Sequence, residues 1–371
     1  MQVQQIRWDS RSGWEATQPL SGANLVFAFA DADYFQTADC FDQLRQRFPS
    51  ALIVGCSSSG SVQDTRITDG DVIVTAVKLE QGRAQLAVAE LDPTSDAEKI
   101  GEQLVAELQA DDLRHVLVLS DGLQVNGSNL ALGLNRAGLP VTGGLAGDGT
   151  RFGKTWVMAN APAAAGRIAA IGLYGQLTIK SGCFSGWQEF GAERVVTKST
   201  ANVVYEIDHQ PALDLYKKYL AEQASGLPST GLRFPLSVQA SKDELPVIRT
   251  LLAVDEEAHS LTFAGDVPQG YQCKLMRTDL NSLIDNAGRA AQAARPASRT
   301  ATGLCLVVSC VGRRLVLGQL TEDELEIVRD NLGNATAITG FYSYGELAPF
   351  SDVLQCQLHN QTMTLTTLYE E

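Results

Sequence analysis

The chain has 371 residues, of which 44% are hydrophobic and 19% are charged, and its formal net charge at pH 7 is −14. This length predicts two domains or a large fused pair, with a core that needs no disulfide bonds. The negative charge argues against duplex nucleic acid or an anionic membrane surface as the main partner, because both attract basic patches.

Short apolar runs rich in Val, Ile and Leu follow one another along the chain, and runs of this kind predict β-strands. The N-terminus ahead of them lacks the apolar core of a signal peptide, and no window of about 18 apolar residues predicts a transmembrane helix. The predicted strands are residues 25–30, 51–55, 72–77, 116–120, 168–173, 304–309 and 315–317.

Amphipathic stretches with helical spacing lie between these strands. Pro211 stands where a first-turn proline is expected, and Thr321 with Glu324 predicts a capping box for a helix that stops at Gly333. The apolar stripes of the predicted helices are Ile100, Leu104, Val105 and Leu108; Leu213, Leu215, Tyr216, Tyr219 and Leu220; Leu280, Leu283, Ile284 and Ala287; and Leu325, Val328 and Leu332.

The alternation of strands and helices predicts an α/β or α+β chain in which two fused sheet-and-helix regions pack around a shared pocket. Residues 161–166 and 224–234 are rich in small residues, Gly or Pro, and are predicted as loops. The two regions are predicted at residues 23–205 and 206–360. The pattern leaves the strand order open.

Four segments share one design, an apolar run that enters a cluster of small or polar residues. They are residues 52–60, 140–149, 307–313 and 337–346. Small residues at strand ends let the backbone approach a ligand, although tight turns or close packing explain each segment equally well. The predicted pocket residues are Gly55, Cys56, Ser57, Gly144, Asp148, Cys310, Tyr342, Tyr344 and Glu346.

The seven Cys residues are widely spaced and form no CxxC or CxxCH motif, which argues against a zinc ribbon, a redox pair or covalently attached haem. Scattered Cys in apolar runs predict reduced, buried thiols and a cytoplasmic protein. Gly55 and Gly60 do not have the spacing of a nucleophile elbow, so the chain is not predicted to be an enzyme. An enzyme that uses Cys56 or a nearby Ser remains an alternative.

The four His residues are too dispersed for a local metal cluster. His115 is predicted at a surface strand edge, His259 in a solvated acidic turn, and His209 in a loop that precedes a helix. His359 lies in a strand-like run and is the His expected to be partly buried. Walker and dinucleotide fingerprints are absent from the sequence.

The segments above resemble the FIST sensory domain family. The matching pieces are residues 55–60 (GCSSSG), 142–148 (TGGLAGD), 208–216 (DHQPALDLY), 309–313 (SCVGR) and 340–346 (GFYSYGE). The resemblance runs from about residue 23 to the C-terminus. It implies small-ligand sensing in signal transduction.

Three further stretches look similar to one branch of that family, the nitric-oxide-sensing NosP proteins. They are residues 191–197 (GAERVVT), 226–236 (GLPSTGLRFPL) and 358–364 (LHNQTMT). This likeness implies b-type haem and control of a partner histidine kinase. His359 is then the first choice for the axial ligand and for the metal, and His209 is the second.

A haem would also need partners for its propionates, and Arg194, Arg313 and Arg314 are candidates because guanidinium groups pair with carboxylates. Two hypotheses remain as alternatives to the haem sensor. They are a haem-free FIST sensor of amino acids or other small metabolites, and the enzyme named above. Because the sequence ends at Glu371 without a kinase or cyclase module, the output is expected to act in trans through a partner protein.

Overall fold

A computed structural model describes residues 1–36, 39–92, 94–296, 302–350 and 354–370. Within them, no helix is long and apolar enough to cross a bilayer. The α-helices are α1 (Asp39–Arg47), α2 (Ala97–Leu108), α3 (Gly127–Leu134), α4 (Ala212–Leu220), α5 (Leu280–Ala294), α6 (Val311–Leu317) and α7 (Thr321–Leu332).

The strands are short and fall into four sheets. In the first half of the chain they are β1 (Gln2–Asp9), β2 (Gly13–Trp14), β3 (Leu25–Ala30), β4 (Leu52–Ser57), β5 (Ser61–Gln63), β6 (Arg66–Thr68), β7 (Asp71–Lys78), β8 (Gly82–Glu90), β9 (Leu113–Ser120), β10 (Val141–Leu145), β11 (Val157–Ala159), β12 (Arg167–Gly175) and β13 (Leu177–Phe184). In the second half they are β14 (Gln188–Thr200), β15 (Val203–Ile207), β16 (Gln210–Pro211), β17 (Leu236–Gln239), β18 (Val247–Arg249), β19 (Leu251–Asp255), β20 (Ser260–Phe263), β21 (Gln272–Arg277), β22 (Gly303–Cys310), β23 (Thr336–Ser343), β24 (Gly345–Pro349), β25 (Cys356–His359) and β26 (Met363–Glu370).

Three of the sheets repeat one arrangement. Each has a central parallel pair, β3–β4, β9–β10 or β22–β23, and antiparallel strands on both sides of that pair. The strand orders are β11-β4-β3-β7-β1-β2, β25-β24-β10-β9-β12-β8 and β13-β26-β22-β23-β5-β6. Since β24 and β25 join the second sheet and β5, β6 and β13 join the third, strands from distant parts of the chain share these sheets.

Each parallel pair holds a glycine whose missing side chain leaves room for a carbonyl oxygen of the partner strand. Gly55, Gly143 and Gly340 lie opposite Ala28, Val118 and Val307. A Cβ atom on any of them would lie far inside van der Waals contact of the partner's carbonyl oxygen. Gly143 and Gly340 also have positive φ angles of 146° and 150°, which favour glycine.

The second strands of the three parallel pairs end together. Just past β4, β10 and β23, a backbone N–H from each sheet donates to a carbonyl oxygen of the next sheet, and the three bonds close a ring. The bonds are Ser59 N to Tyr342 O (2.8 Å), Gly147 N to Ser57 O (3.0 Å) and Tyr344 N to Leu145 O (3.0 Å). This ring gives the three-sheet body a pseudo-threefold axis.

Apolar inner faces of the three sheets pack against one another. This shared core contains residues such as Phe29, Leu119, Ile171, Val308 and Phe341, all of which are buried. Helix α1 covers the outer face of the first sheet, α2 and α3 cover the second, and α5 and α7 cover the third. The mixed α/β class with fused sheet-and-helix regions is therefore confirmed.

The fourth sheet comes from one continuous stretch of chain, β14 to β21, and its strand order is β18-β17-β21-β14-β15-β20-β19, with β16 paired to β15. It packs with α4 around a core of its own, which includes Leu213, Tyr216, Leu261 and Phe263. The predicted division between residues 205 and 206 falls inside β15.

Six predicted strands and all four helical stripes are confirmed, and the strand ends agree to within three residues. The predicted strand at residues 315–317 is wrong, because these residues close α6. An isolated apolar triplet fits one turn of a buried helix as well as it fits a strand.

The predicted capping box is also wrong. Helix α7 has no side-chain cap, and the Thr321 hydroxyl donates to the Gly318 carbonyl. Glu324 turns instead towards Arg313, with which it forms a buried ion pair of 2.8 Å. Gly333 ends the helix as predicted, with φ 81°, and Pro211 precedes the first turn of α4 as its N-cap.

The prediction that His115 lies at a surface strand edge is wrong as well. It lies in β9, in the interior of the second sheet, and its side chain is buried with Nε2 2.7 Å from Thr142 Oγ1. His259 is exposed, as predicted. The predicted free thiols are confirmed: all seven Cys are unpaired, and only Cys40 is not fully buried.

Candidate functional site

Three of the four small-residue segments are the strand ends that form the backbone ring, and their centre is packed. Gly55, Cys56 and Gly144 lie in buried strand positions. Burial raises the pKa of the Cys56 thiol well above its ordinary value. The Ser57 hydroxyl, also buried, accepts a hydrogen bond from Trp156 N at 3.0 Å. These four residues therefore hold the ring region together.

Next to the ring, a cavity of about 460 Å³ lies between the three-sheet body and the fourth sheet. We call it the Tyr344 cavity. Of the predicted pocket residues, Cys310 and Tyr344 line it, together with the β9–α3 loop, the first turn of α6 and the loop that follows β20. Its lining thus includes elements from both predicted regions.

The mouth of the Tyr344 cavity is apolar. Leu123, Phe152, Leu252 and Leu315 all line it, and each is between 39% and 49% exposed. The Phe152 and Tyr344 rings stack with centroids 4.7 Å apart. Exposed apolar groups around a concave site are typical of a surface that receives an organic ligand.

Asp148 does not line the cavity, but it forms hydrogen bonds with the two aromatic residues Phe152 and Tyr344 that do. Its carboxylate accepts hydrogen bonds from Tyr344 Oη and from the backbone N–H groups of Phe152, Gly153 and Lys154 at 2.8–2.9 Å. Burial raises the pKa of Asp148, but these hydrogen bonds lower it more, so the net pKa is below the ordinary value. The structure therefore gives Asp148 a positioning role for Phe152 and Tyr344.

Cys310 stands at the start of α6, where its side chain faces the first backbone N–H groups of the helix. Burial raises the pKa of the thiol, Glu346 raises it further, and the N–H groups of Gln361, Gly312 and Arg313 act in the opposite direction. The thiol is thus protonated at neutral pH and contributes an apolar surface to the Tyr344 cavity.

Glu346 and Tyr342 are fully buried away from this cavity. The Glu346 carboxyl accepts hydrogen bonds from Ser343 Oγ at 2.6 Å and Thr362 Oγ1 at 2.8 Å. Burial raises the pKa of Glu346 to about 7. The Tyr342 hydroxyl donates to Glu324 at 2.6 Å. Glu346 on β24 of the second sheet and Tyr342 on β23 of the third sheet therefore each belong to a buried polar cluster.

Several cavity residues were not predicted from the sequence. Asn126, Thr250 and Asp266 line the Tyr344 cavity, and they come from loops and strand ends that are distant in sequence. The Thr250 hydroxyl is buried without a hydrogen-bond partner in the part of the chain that the structure describes. No local motif marks these positions, because they meet only when the fourth sheet packs on the body.

A second cavity, of about 570 Å³, has His359 in its wall, and we call it the His359 cavity. His359 is buried and donates its Nε2–H to the Ala348 carbonyl at 3.0 Å, while its ring meets the Phe350 ring edge-on at 4.7 Å. Burial lowers the pKa of His359 to about 4, so the imidazole is neutral at pH 7. Its Nδ1 then carries a lone pair.

Two residues of the His359 cavity, His359 and Arg289, are of the types that hold a haem group. A neutral His whose other nitrogen donates to a carbonyl is the arrangement that metal-binding imidazoles usually have. Arg289 also lines the His359 cavity and makes no ion pair among the described residues, so it is available for a propionate. No group of three or more His, Cys, Asp and Glu in the described ranges could hold a metal ion.

The three arginines expected near haem propionates have other partners. Arg194 pairs with Asp208 at 2.6 Å and with the Tyr219 hydroxyl at 2.9 Å. Arg313 is fully buried and donates to Glu324 and to the Ser185, Leu283 and Gln361 carbonyls. Arg314 pairs with Asp69 at 2.7 Å.

His209 lies in an exposed turn with φ 60°, away from both cavities. Its backbone N–H donates to Thr197 Oγ1 at 2.9 Å. Of the two His residues considered as haem ligands, only His359 therefore stands on a cavity wall.

Comparison with protein families gives two matches that together span most of the chain. The model of the FIST N domain matches residues 24–210, and the model of the FIST C domain matches residues 212–349. FIST domains are small-ligand sensor domains. A search of curated proteins finds no match.

Three of the solved structures that match this chain have low sequence identities and low TM-scores. A chorismatase is 10% identical with a TM-score of 0.34, and the match covers 99% of this chain and 98% of that one. Cyanuric acid hydrolase from A. caulinodans is 10% identical with a TM-score of 0.37, covering 100% and 99%. A further cyanuric acid hydrolase is 12% identical with a TM-score of 0.34, covering 100% and 99%. Similarity at this level carries no argument about activity.

Proposed function

Because the chain belongs to the FIST family, we propose that it is a non-catalytic sensor that binds a small molecule in the Tyr344 cavity and signals to a separate partner protein. One observation carries this proposal. The cavity is lined by residues 122–127, 145, 152 and 201–202 from the FIST N match and by residues such as Thr250, Cys310 and Tyr344 from the FIST C match. A ligand there contacts both halves at once.

The volume and lining support a small organic ligand. About 460 Å³ is within the range of small-molecule sites, which are mostly apolar with a few polar groups that fix orientation. The buried state of the Cys56 thiol supports a non-catalytic role, since a thiol with a strongly raised pKa is a poor nucleophile.

Helix α6 connects the cavity to the interior of the third sheet. Val311, Gly312 and Leu315 line the Tyr344 cavity. On the same helix, Arg313 bonds to Glu324 of α7, and Arg314 bonds to the Ser59 carbonyl in the backbone ring at 2.6 Å. A ligand that displaces α6 would thus move Glu324 on α7 and the chain that follows β4. We propose that a conformational change caused by ligand binding in the Tyr344 cavity reaches the outer surface of the protein by this route.

A thermal-shift screen of small metabolites tests the proposal, because a ligand that binds only the folded protein raises its melting temperature. Leu315→Trp places a large side chain at the mouth and should abolish the shift. Leu320→Trp is the matched control, since Leu320 is similarly exposed (37% against 44%) but does not line the cavity. A shift that survives in Leu315→Trp, and also in Leu252→Trp, would contradict this site.

The His359 cavity favours a second candidate, a haem-based sensor of nitric oxide. His359 would supply the axial nitrogen and Arg289 a propionate contact. Bound haem would supply an iron atom that takes up a diatomic gas. The residues of this chain would hold the imidazole neutral and place Phe184, Trp187 and Phe350 beside the group.

Absorption spectra of protein expressed with added haem test this candidate, in the oxidised, reduced and nitric-oxide-treated states. We expect a strong haem band that is lost in His359→Ala and kept in His209→Ala, since His209 lies away from the cavity. A colourless protein after reconstitution, or a band unchanged in His359→Ala, would contradict it.

A partner such as a histidine kinase belongs to the same proposal, and free thiols support a cytoplasmic setting for both. Pull-downs with and without the ligand should recover a signalling protein whose binding depends on ligand. Recovery of no signalling partner in either condition would count against output in trans.

A further inference from the structure

The charged and polar groups of the Tyr344 cavity indicate which ligands it accepts. Asp266 is the only carboxylate among its described lining residues, and no Lys or Arg lines it. An acid placed there would meet a like charge and no cation among the described lining residues, whereas an ammonium group would meet an opposite charge. The sign of the charge therefore disfavours anionic ligands.

The Asp266 carboxylate keeps capacity for a further hydrogen bond. Among the described residues, its two oxygens accept hydrogen bonds only from Asn126 Nδ2, at 3.2 Å each, and a carboxylate offers about four acceptor positions. It forms no ion pair with any residue that the structure describes. Arg249 stands nearby, but its guanidinium donates to the carbonyl oxygens of Asp266, Ile248 and Leu358 and does not line the cavity.

Thr250 gives a second observation, independent of Asp266, that the cavity receives a polar ligand group. Its side chain is 4% exposed, it lines the same cavity, and its hydroxyl oxygen has no hydrogen-bond partner among the described residues. An unpaired buried hydroxyl is unfavourable unless a ligand or water pairs with it. Asp266 thus offers an acceptor to a ligand that carries N–H donors, and the Thr250 hydroxyl offers a second polar group that can accept or donate.

Much of the remaining lining is apolar and aromatic, and it includes the stacked Phe152 and Tyr344 rings and Leu123, Leu252 and Leu315. We infer that the ligand is a primary amine on an apolar or aromatic body, without a carboxylate. This inference rests on the proposed function, because it assigns a ligand class to the same cavity.

Calorimetry with matched probes tests the inference at pH 7. Phenethylamine carries the amine, 3-phenylpropionate carries an acid on a similar skeleton, and phenylalanine carries both groups. A panel of alkyl and aryl amines, each paired with the acid of the same skeleton, extends the comparison to other shapes. We expect the amines to bind about tenfold or more tighter than their paired acids, as a charge-assisted hydrogen bond allows.

Variants locate the effect. Asp266→Asn keeps the side-chain shape and should weaken amine binding about tenfold while leaving neutral alcohols of the same skeleton unchanged. Asp243→Asn is the control, since Asp243 is exposed and does not line the cavity. Amine binding that is unaffected by Asp266→Asn would overturn the inference.

The two proposals fail in different ways. If acids or phenylalanine bind as tightly as the amines and Leu315→Trp abolishes their binding, the amine inference is wrong and the sensor cavity stands. If no amine of the panel binds, the inference is also wrong. If, in addition, no metabolite shift depends on Leu315, the proposed function fails with it.

Discussion

The Glu346 carboxyl group is enclosed by hydrogen-bond partners inside the protein, and its ionisation should affect stability. Its folded pKa is raised from 4.5 to about 7, chiefly by burial, while Ser343, Thr362 and Arg313 act in the opposite direction. A raised pKa means that the fold favours the protonated carboxyl. Its stabilising contribution is therefore complete below pH 4.5 and is lost as the pH rises through about 7.

Glu346→Gln should remove this dependence, because the amide does not ionise. Relative to the variant, the wild type should lose free energy of unfolding between pH 4.5 and 7, by at most about 1.4 kcal/mol per pH unit. Urea denaturation of both proteins from pH 4.5 to 8 measures the difference. A difference that stays constant over this range would show that Glu346 is ionised throughout.

At the residue scale, position at a strand end is the signal from which the sequence predicts pocket residues. Cys310 and Tyr344 were expected in a pocket because they follow strands, and both line one. Glu346 was expected to face a polar ligand, but its oxygens are taken by Ser343 and Thr362. Thr250 and Asp266 were missed, because their role arises only from packing between distant elements.

At the scale of the strand pair, a prediction follows from the equivalent positions of Gly55, Gly143 and Gly340. Gly340→Ala would place a methyl group against the Val307 carbonyl at a positive φ angle of 150°. Because the parallel pair must separate to admit it, we expect a loss of about 3 kcal/mol or more in the free energy of unfolding.

Gly70→Ala is the control for that variant. Gly70 has no neighbouring atom within 4 Å of an added Cβ, and its backbone needs no positive φ. Its effect should stay within about 0.5 kcal/mol. Chemical denaturation compares the two, and equal effects would mean that the close approach at Gly340 does not constrain the sheet.

The buried ion pair between α6 and α7 supports a second prediction at this scale. Arg313 and Glu324 are both fully buried. Arg313→Met leaves an unpaired charge on Glu324 and should cost about 3–5 kcal/mol. Adding Glu324→Gln removes that charge, so the double variant should be more stable than Arg313→Met alone.

The coupling energy of the buried Arg313–Glu324 pair should be compared with that of an exposed pair in a second double-mutant cycle. Arg136 and Glu102 form such a pair, since their side chains are 69% and 39% exposed. Its coupling energy should be below about 1 kcal/mol. Urea denaturation provides all values. A buried cycle with coupling as small as the exposed one would mean that the Arg313 pair does not fix α6 to α7.

The elements themselves were largely predictable, because strands and amphipathic helices carry their burial pattern locally. The predicted strand at residues 25–30 coincides with β3, and the Leu325 stripe of α7 is buried. The capping box at Thr321 failed because Glu324 has a stronger partner in Arg313, which lies on another helix. Tertiary pairing of this kind is invisible in a local motif.

At the scale of the molecule, the repetition of the three sheets could not be predicted from the sequence. The third parallel pair is separated from the second by the whole fourth sheet, from Gln188 to Arg277, so no regular period links the copies. Residues of β5, β13, β24 and β25 also cross between sheets. Pairing of this kind depends on long-range register and leaves no trace in local composition.

Because strands from distant parts of the chain share sheets, we can predict which fragments of the protein fold alone. A fragment of residues 1–210 keeps the first sheet but lacks β22, β23 and β26 of the third and β24 and β25 of the second. It would expose unpaired strand edges and the apolar face of the shared core to water. We therefore expect it to aggregate or to unfold without cooperativity.

A fragment of residues 187–278 should behave differently, because it contains every strand of the fourth sheet, α4 and the core between them. Circular dichroism melts and proton NMR spectra of both fragments measure the contrast. Cooperative melting of residues 187–278 alone would place the boundary of an independent folding unit around the fourth sheet. Cooperative melting of residues 1–210 would instead mean that the first sheet and the four strands of the second sheet in this fragment fold without β22 to β26.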